Sequence, residues 1–420
     1  MRVYVYGGKM RKMKSSGVEW IGEIPEDWGI VKVKQAFVRK NEKAKQENPV
    51  ILSLARTGVK VRDVSTNEGQ VAESYYNYNP VSVGDLLLNP MDLYSGANCS
   101  LSEVEGVISP AYVNLKNKEG YFSKFYDYYF KVQYWMMVLF AHGKGVSFDN
   151  RWTLNHETLM NFPIVSPDFK TQKHIADFLD DKCGKIDRYI EKQQKIIDKL
   201  KEYKQVVITE AVRFRDGWTS CHLGYLAQFK NGLNYSGLST DVEIKFLGVG
   251  DFQNHFMLNS KEMFSTLKFD GNMPEDLLLK NGDIVFVRSN GSKDLVGRSV
   301  LIDNVDYPLT YSGFCIRMRN IRQDIIQNKF LLYWFWSNEF RQSLNQDSRG
   351  SNINNLNQEL LSKFAAAFPV IDEQKKIVKY LDAKCFEIDS AISKQTSIIE
   401  KLTEYKKSLI YEVVTGKLEV

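Results

Sequence analysis

Two stretches of the chain place apolar residues at the spacing of a long helix. In the first, Ile175, Leu179, Ile186, Ile190, Ile197, Leu200 and Val207 recur in steps of four, seven and three. In the second the series is Ile377, Leu381, Ile388, Ile392, Ile399, Leu402 and Leu409. Such a seam stays on one helix face and suits a partner helix. The two stretches are also copies of one another. Residues 172–212 align with 374–414 at a constant offset of 202, and 22 of 41 positions are identical. Forty helical residues span roughly 60 Å. Two similar helices with matching seams predict an antiparallel coiled coil. Gly184 is expected to kink or break the first helix, whereas Phe386 stands at the same place in the second. The first stretch carries nine basic and eight acidic residues, the balance of a solvated strut and not of a phosphate-gripping surface.

The segments before each helix resemble each other more faintly. Trp28 and Trp218 each open a lobe. Gly84-Asp85 before three leucines, and Gly282-Asp283 before Ile-Val-Phe, read as turns entering buried strands. Residues 111–115 and 314–318 read as later strands. Tyr128 and Leu332 fall in amphipathic helices, and short helices carrying Leu154-Asn155 and Leu356-Asn357 lead to Phe162-Pro163 and Phe368-Pro369. The expected class is α+β: two similar mixed lobes joined by two long helices in a pseudo-two-fold repeat. The expected boundaries are 13–165 and 214–369 for the lobes, 166–213 and 370–420 for the helices. Residues 1–12 are expected to be a non-native or flexible leader, with Met13 as the expected native initiator.

Composition narrows the class without naming a function. The 420 residues are 43% hydrophobic and 25% charged, which excludes a disordered or collagen-like chain. No apolar run reaches the ~20 residues that span a bilayer, and no signal peptide opens the chain, so a cytoplasmic protein is expected. The five cysteines lack Cys-x-x-Cys spacing and the five histidines form no i, i+4 pair, so no metal site is expected. A net charge of +5 permits nucleic acid without demanding it.

The opening string from Ser16 to Trp28, the duplicated helices, and the closing 414–420 segment resemble the specificity subunit of type I restriction-modification systems. The resemblance covers nearly the whole chain. It implies that each lobe is a target-recognition domain for half of a split, asymmetric DNA site, with the helices setting the spacer. It further implies two methyltransferase subunits as partners, and restriction or translocase subunits beside them. This chain would bind no cofactor and catalyse nothing itself. S-adenosylmethionine, with ATP and magnesium for restriction, would belong to the partners. A helix of roughly 60 Å can place two lobes one duplex turn apart, about 34 Å.

Base reading needs forked or amide side chains, and phosphate positioning needs cations. In the first lobe the candidates are Arg56, Lys60, Arg62, Asn98, Lys144, Asn150 and Arg151. In the second they are Lys230, Asn231, Asn234, Arg288, Asn290, Lys293, Arg349, Asn352 and Asn354. The candidate seam between the helices is Ile186, Ile190, Ile197, Leu200, Ile388, Ile392, Ile399 and Leu402. Two rival readings stand beside this one: a coiled-coil scaffold that reads no DNA, and a stand-alone modifying enzyme. The Phe246–Gly250 string (Phe-x-Gly-x-Gly) and Asn89-Pro90-Met91-Asp92 are fragments of methyltransferase strings. Met91 and Asp92 break the second, which needs a further proline and an aromatic to hold a flipped base.

Overall fold

The structure, a computed structural model, describes residues 12–64, 72–91, 93–94, 98–145, 152–234, 242–253, 255–269, 273–289, 295–346 and 356–420. The chain forms two compact units, residues 1–193 with 398–420, and residues 194–397. Both long helices form, as Phe169–Val212 and Ile371–Val414. The expected break at Gly184 is absent. One glycine costs about 1 kcal/mol in a helix interior, far less than the burial of the apolar seam on either side of it returns. The unit boundaries do not divide lobe from helix. They fall inside the long helices, because each half of a helix packs with a different core.

In the first unit, an antiparallel sheet has the order Phe37–Lys40, Val113–Asn117, Leu86–Leu88, Cys99–Leu101. Strand periodicity decides what each leucine of the central strand does. Leu86 and Leu88 face a core with the aromatic helix Ser123–Trp135. That core also takes Ile175, Leu179 and Ile186 of the first long helix and Leu409, Ile410 and Val413 of the second. Leu87 faces the other way, into a small cluster with Leu52, Leu54, Val81 and Ile108.

In the second unit, a five-stranded sheet runs Ala227–Asn231, Cys315–Asn320, Ile284–Val287, Ser299–Ile302, Met257–Leu258. Ile284 and Phe286 face a core with Phe330 of helix Asn328–Phe335, Val207 and Ile208 of the first long helix, and Leu381 of the second. Val285 and Val287 face a second cluster, closed by a three-stranded sheet that supplies Leu247, Leu309 and Tyr311.

The expected Gly-Asp turns form. Gly84 (φ +87°) and Gly282 (φ +90°) sit in the left-handed region that favours glycine. The following aspartates are buried and paired. Asp85 accepts from Lys40 at 2.7 Å, from the Ser82 N–H at 2.8 Å and from Asn114 at 3.2 Å. Asp283 takes both arms of Arg319, at 2.7 and 2.6 Å, and the Lys280 N–H at 2.8 Å.

One landmark expectation is corrected. Leu154-Asn155 and Leu356-Asn357 do not lie within helices. Asn155 and Asn357 are N-caps, accepting from Thr158 and Leu360 at 2.8 and 2.7 Å. The short helices His156–Asn161 and Gln358–Lys363 then end at Phe162 and Phe364. Phe364, and not Phe368, is therefore the counterpart of Phe162. A four-residue strand, Ala365–Phe368, separates Phe364 from Pro369, and Pro369 corresponds to Pro167. The offset of 202 thus extends back from the long helices to these caps.

Among the described residues, no helix is long and apolar enough to cross a membrane.

Candidate nucleic-acid interface

Each lobe is fastened to its long helix by the same few polar groups. In the first unit, buried Gln172 accepts from the Phe122 N–H at 2.7 Å and donates to Pro167 and Gly120 carbonyls at 2.8 and 3.2 Å. In the second, buried Gln374 accepts from the Gln327 N–H at 2.9 Å and donates to Pro369 and Ile325 carbonyls at 2.8 and 2.7 Å. Two turns further on, Tyr128 donates to Asp180 at 2.6 Å and Tyr333 donates to Asp382 at 2.7 Å. Burial, then the bond to the carboxylate, pushes both phenols well above their usual range, so each remains a donor. Lys124 and Lys329 reach the same aspartates at 3.4 and 2.7 Å.

The helices are tied to one another as well. In the first unit Lys406 meets both oxygens of Asp187 at 2.7 Å. In the second Lys204 meets both oxygens of Asp389 at 2.8 and 2.7 Å. The eight residues expected to form the seam, Ile186, Ile190, Ile197, Leu200, Ile388, Ile392, Ile399 and Leu402, are all buried or half-buried.

The candidate DNA-reading residues separate into distinct settings. Arg56 is exposed at the turn between strands Leu52–Ala55 and Gly58–Val61, which also carry exposed Lys60 and lead to half-buried Arg62. Lys144 is exposed and exchanges backbone hydrogen bonds with Thr153 at 2.8 and 3.0 Å. Asn98 does not face outward as expected. It is only 6% exposed, beside the Leu88–Cys99 strand pairing, where its carbonyl accepts from the Asn89 N–H. Its place next to a buried strand end outweighs its polarity.

In the second unit, Lys230 pairs with Asp276 and Asn231 is half-buried on the same strand. Exposed Asn234 and half-buried Arg288 converge on the turn at Gly313, whose carbonyl accepts from Arg288 at 3.4 Å. Phe314 projects from that turn, 62% exposed between buried neighbours. Sequence reasoning placed it in a strand and missed it. Its signal was an aromatic directly after Ser-Gly, ahead of an otherwise buried strand. Asn150, Arg151, Asn290, Lys293, Arg349, Asn352 and Asn354 lie outside the described residues.

Each unit also holds an open cleft between its lobe and the long helices, about 570 Å³ in the first and about 560 Å³ in the second. The first is lined by Arg56, Lys131, Lys406 and Lys407, with Asp180 and Asp187. The second is lined by Lys201, Lys204, Arg298 and Arg341, with Asp389. Beside the first cleft, burial pushes the Asp127 carboxyl up from its usual range, against the pull of Lys131 at 2.7 Å. Among the described residues, no group of three or more His, Cys, Asp or Glu side chains could hold a metal ion. The two methyltransferase-like string fragments lie in different units, Asn89 in the first and Gly248 in the second.

Comparison with known proteins agrees with this architecture. Residues 215–403 match the model of the type I restriction modification DNA specificity domain. The type I restriction enzyme StySPI specificity subunit of Salmonella potsdam is 28% identical over 347 residues, covering 78% of this chain and 70% of that protein. The MjaVIII specificity subunit of Methanocaldococcus jannaschii is 22% identical and aligns over 94% of both chains. A chain from a structural study of complex assembly and conformational transition of the type I R-M system superposes with a TM-score of 0.69. It covers 94% of this chain and 99% of its own length at 13% identity, a likeness of fold. Over nearly its whole length the chain is similar to specificity subunits of type I restriction-modification systems, and residues 215–403 match the DNA specificity domain of that family.

Proposed function

We propose that this chain reads a split, asymmetric DNA site, one half with each lobe, and that the two long helices pair as an antiparallel coiled coil that sets the spacer. One observation carries the reading. The fastenings of lobe to helix, Gln172 with Tyr128 and Gln374 with Tyr333, recur in both units, while the segments assigned to base reading differ. A shared frame with unlike reading faces suits a non-palindromic site.

Catalysis is delegated. Two methyltransferase subunits would carry S-adenosylmethionine, and restriction subunits would carry ATP and magnesium. Exposed aromatics on the long helices offer them docking area: Phe169, Tyr189 and Tyr405 in the first unit, Tyr203, Tyr380 and Phe386 in the second. The same surface would serve a scaffold that reads no DNA, which is the second reading. The basic clefts beside both lobes favour DNA over it.

Methylome sequencing of cells carrying this chain with its neighbouring methyltransferase tests the proposal. A single motif with two different half-sites and a fixed spacer is the expected result, and a stable complex without any methylated motif favours the scaffold. Inserting four residues at matching points of both helices adds about 6 Å, or roughly two base pairs. The preferred spacer should lengthen accordingly, and an unchanged spacer would refute the strut.

A further inference from the structure

We propose that the two lobe–helix clefts are phosphodiester-binding subsites, so that the long helices grip DNA as well as spacing the lobes. The inference rests on the DNA-reading proposal above and departs from the strut-only reading of helix charge. Averaged along its length the first long helix is nearly neutral, but its charges are not evenly placed around it. Lys201 and Lys204 both line the second unit's cleft. In the first unit the corresponding wall is Lys406 and Lys407, supplied by the second long helix. Lys406 and Lys204 stand at equivalent positions, as do their partners Asp187 and Asp389. The lysine–aspartate pair is therefore built twice, from different helices, while Lys201 and Lys407 add a second lysine at non-equivalent positions.

The lobe side of each cleft supplies two more cations. Arg298 donates to the Gln253 carbonyl, and Arg341 donates to the Val296 carbonyl at 2.7 Å. A bond to a carbonyl aims the Arg298 guanidinium without cancelling its charge. In the first unit Arg56 is exposed at its turn, and Lys131 is held by Asp127. The carboxylates lining the clefts already have partners: Asp187 and Asp389 face the helix lysines, and Asp180 faces Tyr128 and Lys124. Lys201 and Lys407 add charge beyond these pairs, and Lys407 lies 5.7 Å above the Trp135 ring.

Position supplies the ligand. Arg56 is itself a candidate reading residue. The Arg298 carbonyl accepts from the Val287 N–H at 2.9 Å, which sets Arg298 beside the candidate reading residue Arg288. A duplex held at Arg56 or at Arg288 would carry its backbone past the cleft of the same unit. Cations that meet only phosphate add affinity without sequence preference.

The test uses the full chain assembled with its methyltransferase, and two duplexes: the methylated motif and an unrelated sequence. The double variant Lys201→Gln, Lys407→Gln should weaken both by a similar factor, about thirtyfold at 0.15 M salt. The dependence of log affinity on log salt should become shallower by about two, at roughly 0.9 per lost phosphate contact. The double variant Lys201→Arg, Lys407→Arg should restore both. An unchanged salt slope overturns the proposal, and so does a loss confined to the methylated motif. Inorganic phosphate binding that the glutamine variant abolishes, with DNA affinity unchanged, would make the clefts small-anion sites and also overturns it. Equal binding of the unaltered assembly to every duplex would instead defeat the site-reading proposal, while the salt slope still decides the clefts.

Discussion

The two units solve one structural problem with unequal means. Close to the long helices they are nearly interchangeable: glutamine, tyrosine and aspartate stand in the same relation in both. On the far side of the central sheet they part. The first unit closes that face with a small cluster around Leu52, Leu54 and Leu87. The second builds a larger one from Leu247, Val285, Val300, Tyr311 and others, under a sheet of its own. The buried aspartate after the Gly turn is met by a single lysine in one unit and by a two-armed arginine in the other. Similarity is kept where a lobe must hold a helix, and freedom is taken where it meets something else.

The largest expected effect lies at the aspartates. Asp283→Ala removes a bidentate partner and should cost about 3–5 kcal/mol. Asp85→Ala should cost less, since Lys40 is a single-point donor on a flexible stem. Hydrogen exchange of strands Ile284–Val287 and Leu86–Leu88 reads each unit separately. Equal losses would break the contrast between the two cations. The glutamines come next. Gln172→Ala and Gln374→Ala should each cost about 1–3 kcal/mol, through two orphaned carbonyls and one N–H apiece. The two values should agree closely. Disagreement beyond about 1 kcal/mol would mean that the fastenings are alike in geometry but not in load. The smallest effect separates the helices. Gly184 has open space where a Cβ would sit, so Gly184→Ala should stabilise the first unit by about 0.5–1 kcal/mol. Phe386→Ala, at a position 75% exposed, should shift stability by no more than about 0.5 kcal/mol. Denaturant melts of both variants check the pair.

The long helices were legible because a period and a duplication both mark them. The Gly-Asp turns and their strands were legible because three apolar residues after a turn have few other fates. The Phe-Pro landmark misled because it matched a dipeptide and ignored spacing. The offset of 202 already pointed to Phe364. Asn98 misled because polarity was read without its neighbour Cys99, the buried first residue of a strand. The clefts were not legible at all. Their walls come from residues as far apart as Arg56 and Lys407, or Lys201 and Arg341, and no local pattern relates them.

The first unit is not a continuous piece of chain, since residues 398–420 complete its core. Leu409, Ile410, Val413 and Val414 join that core, and Gly416, at φ +71°, lies so close to Pro25 and Trp28 that a Cβ would collide. The second unit, residues 194–397, is continuous. During synthesis the second unit therefore has all its parts while the first, begun earlier, still lacks a wall. The ribosome must deliver residues 398–420 before Trp28 can be covered, so the lobe that is translated first is the one that finishes last.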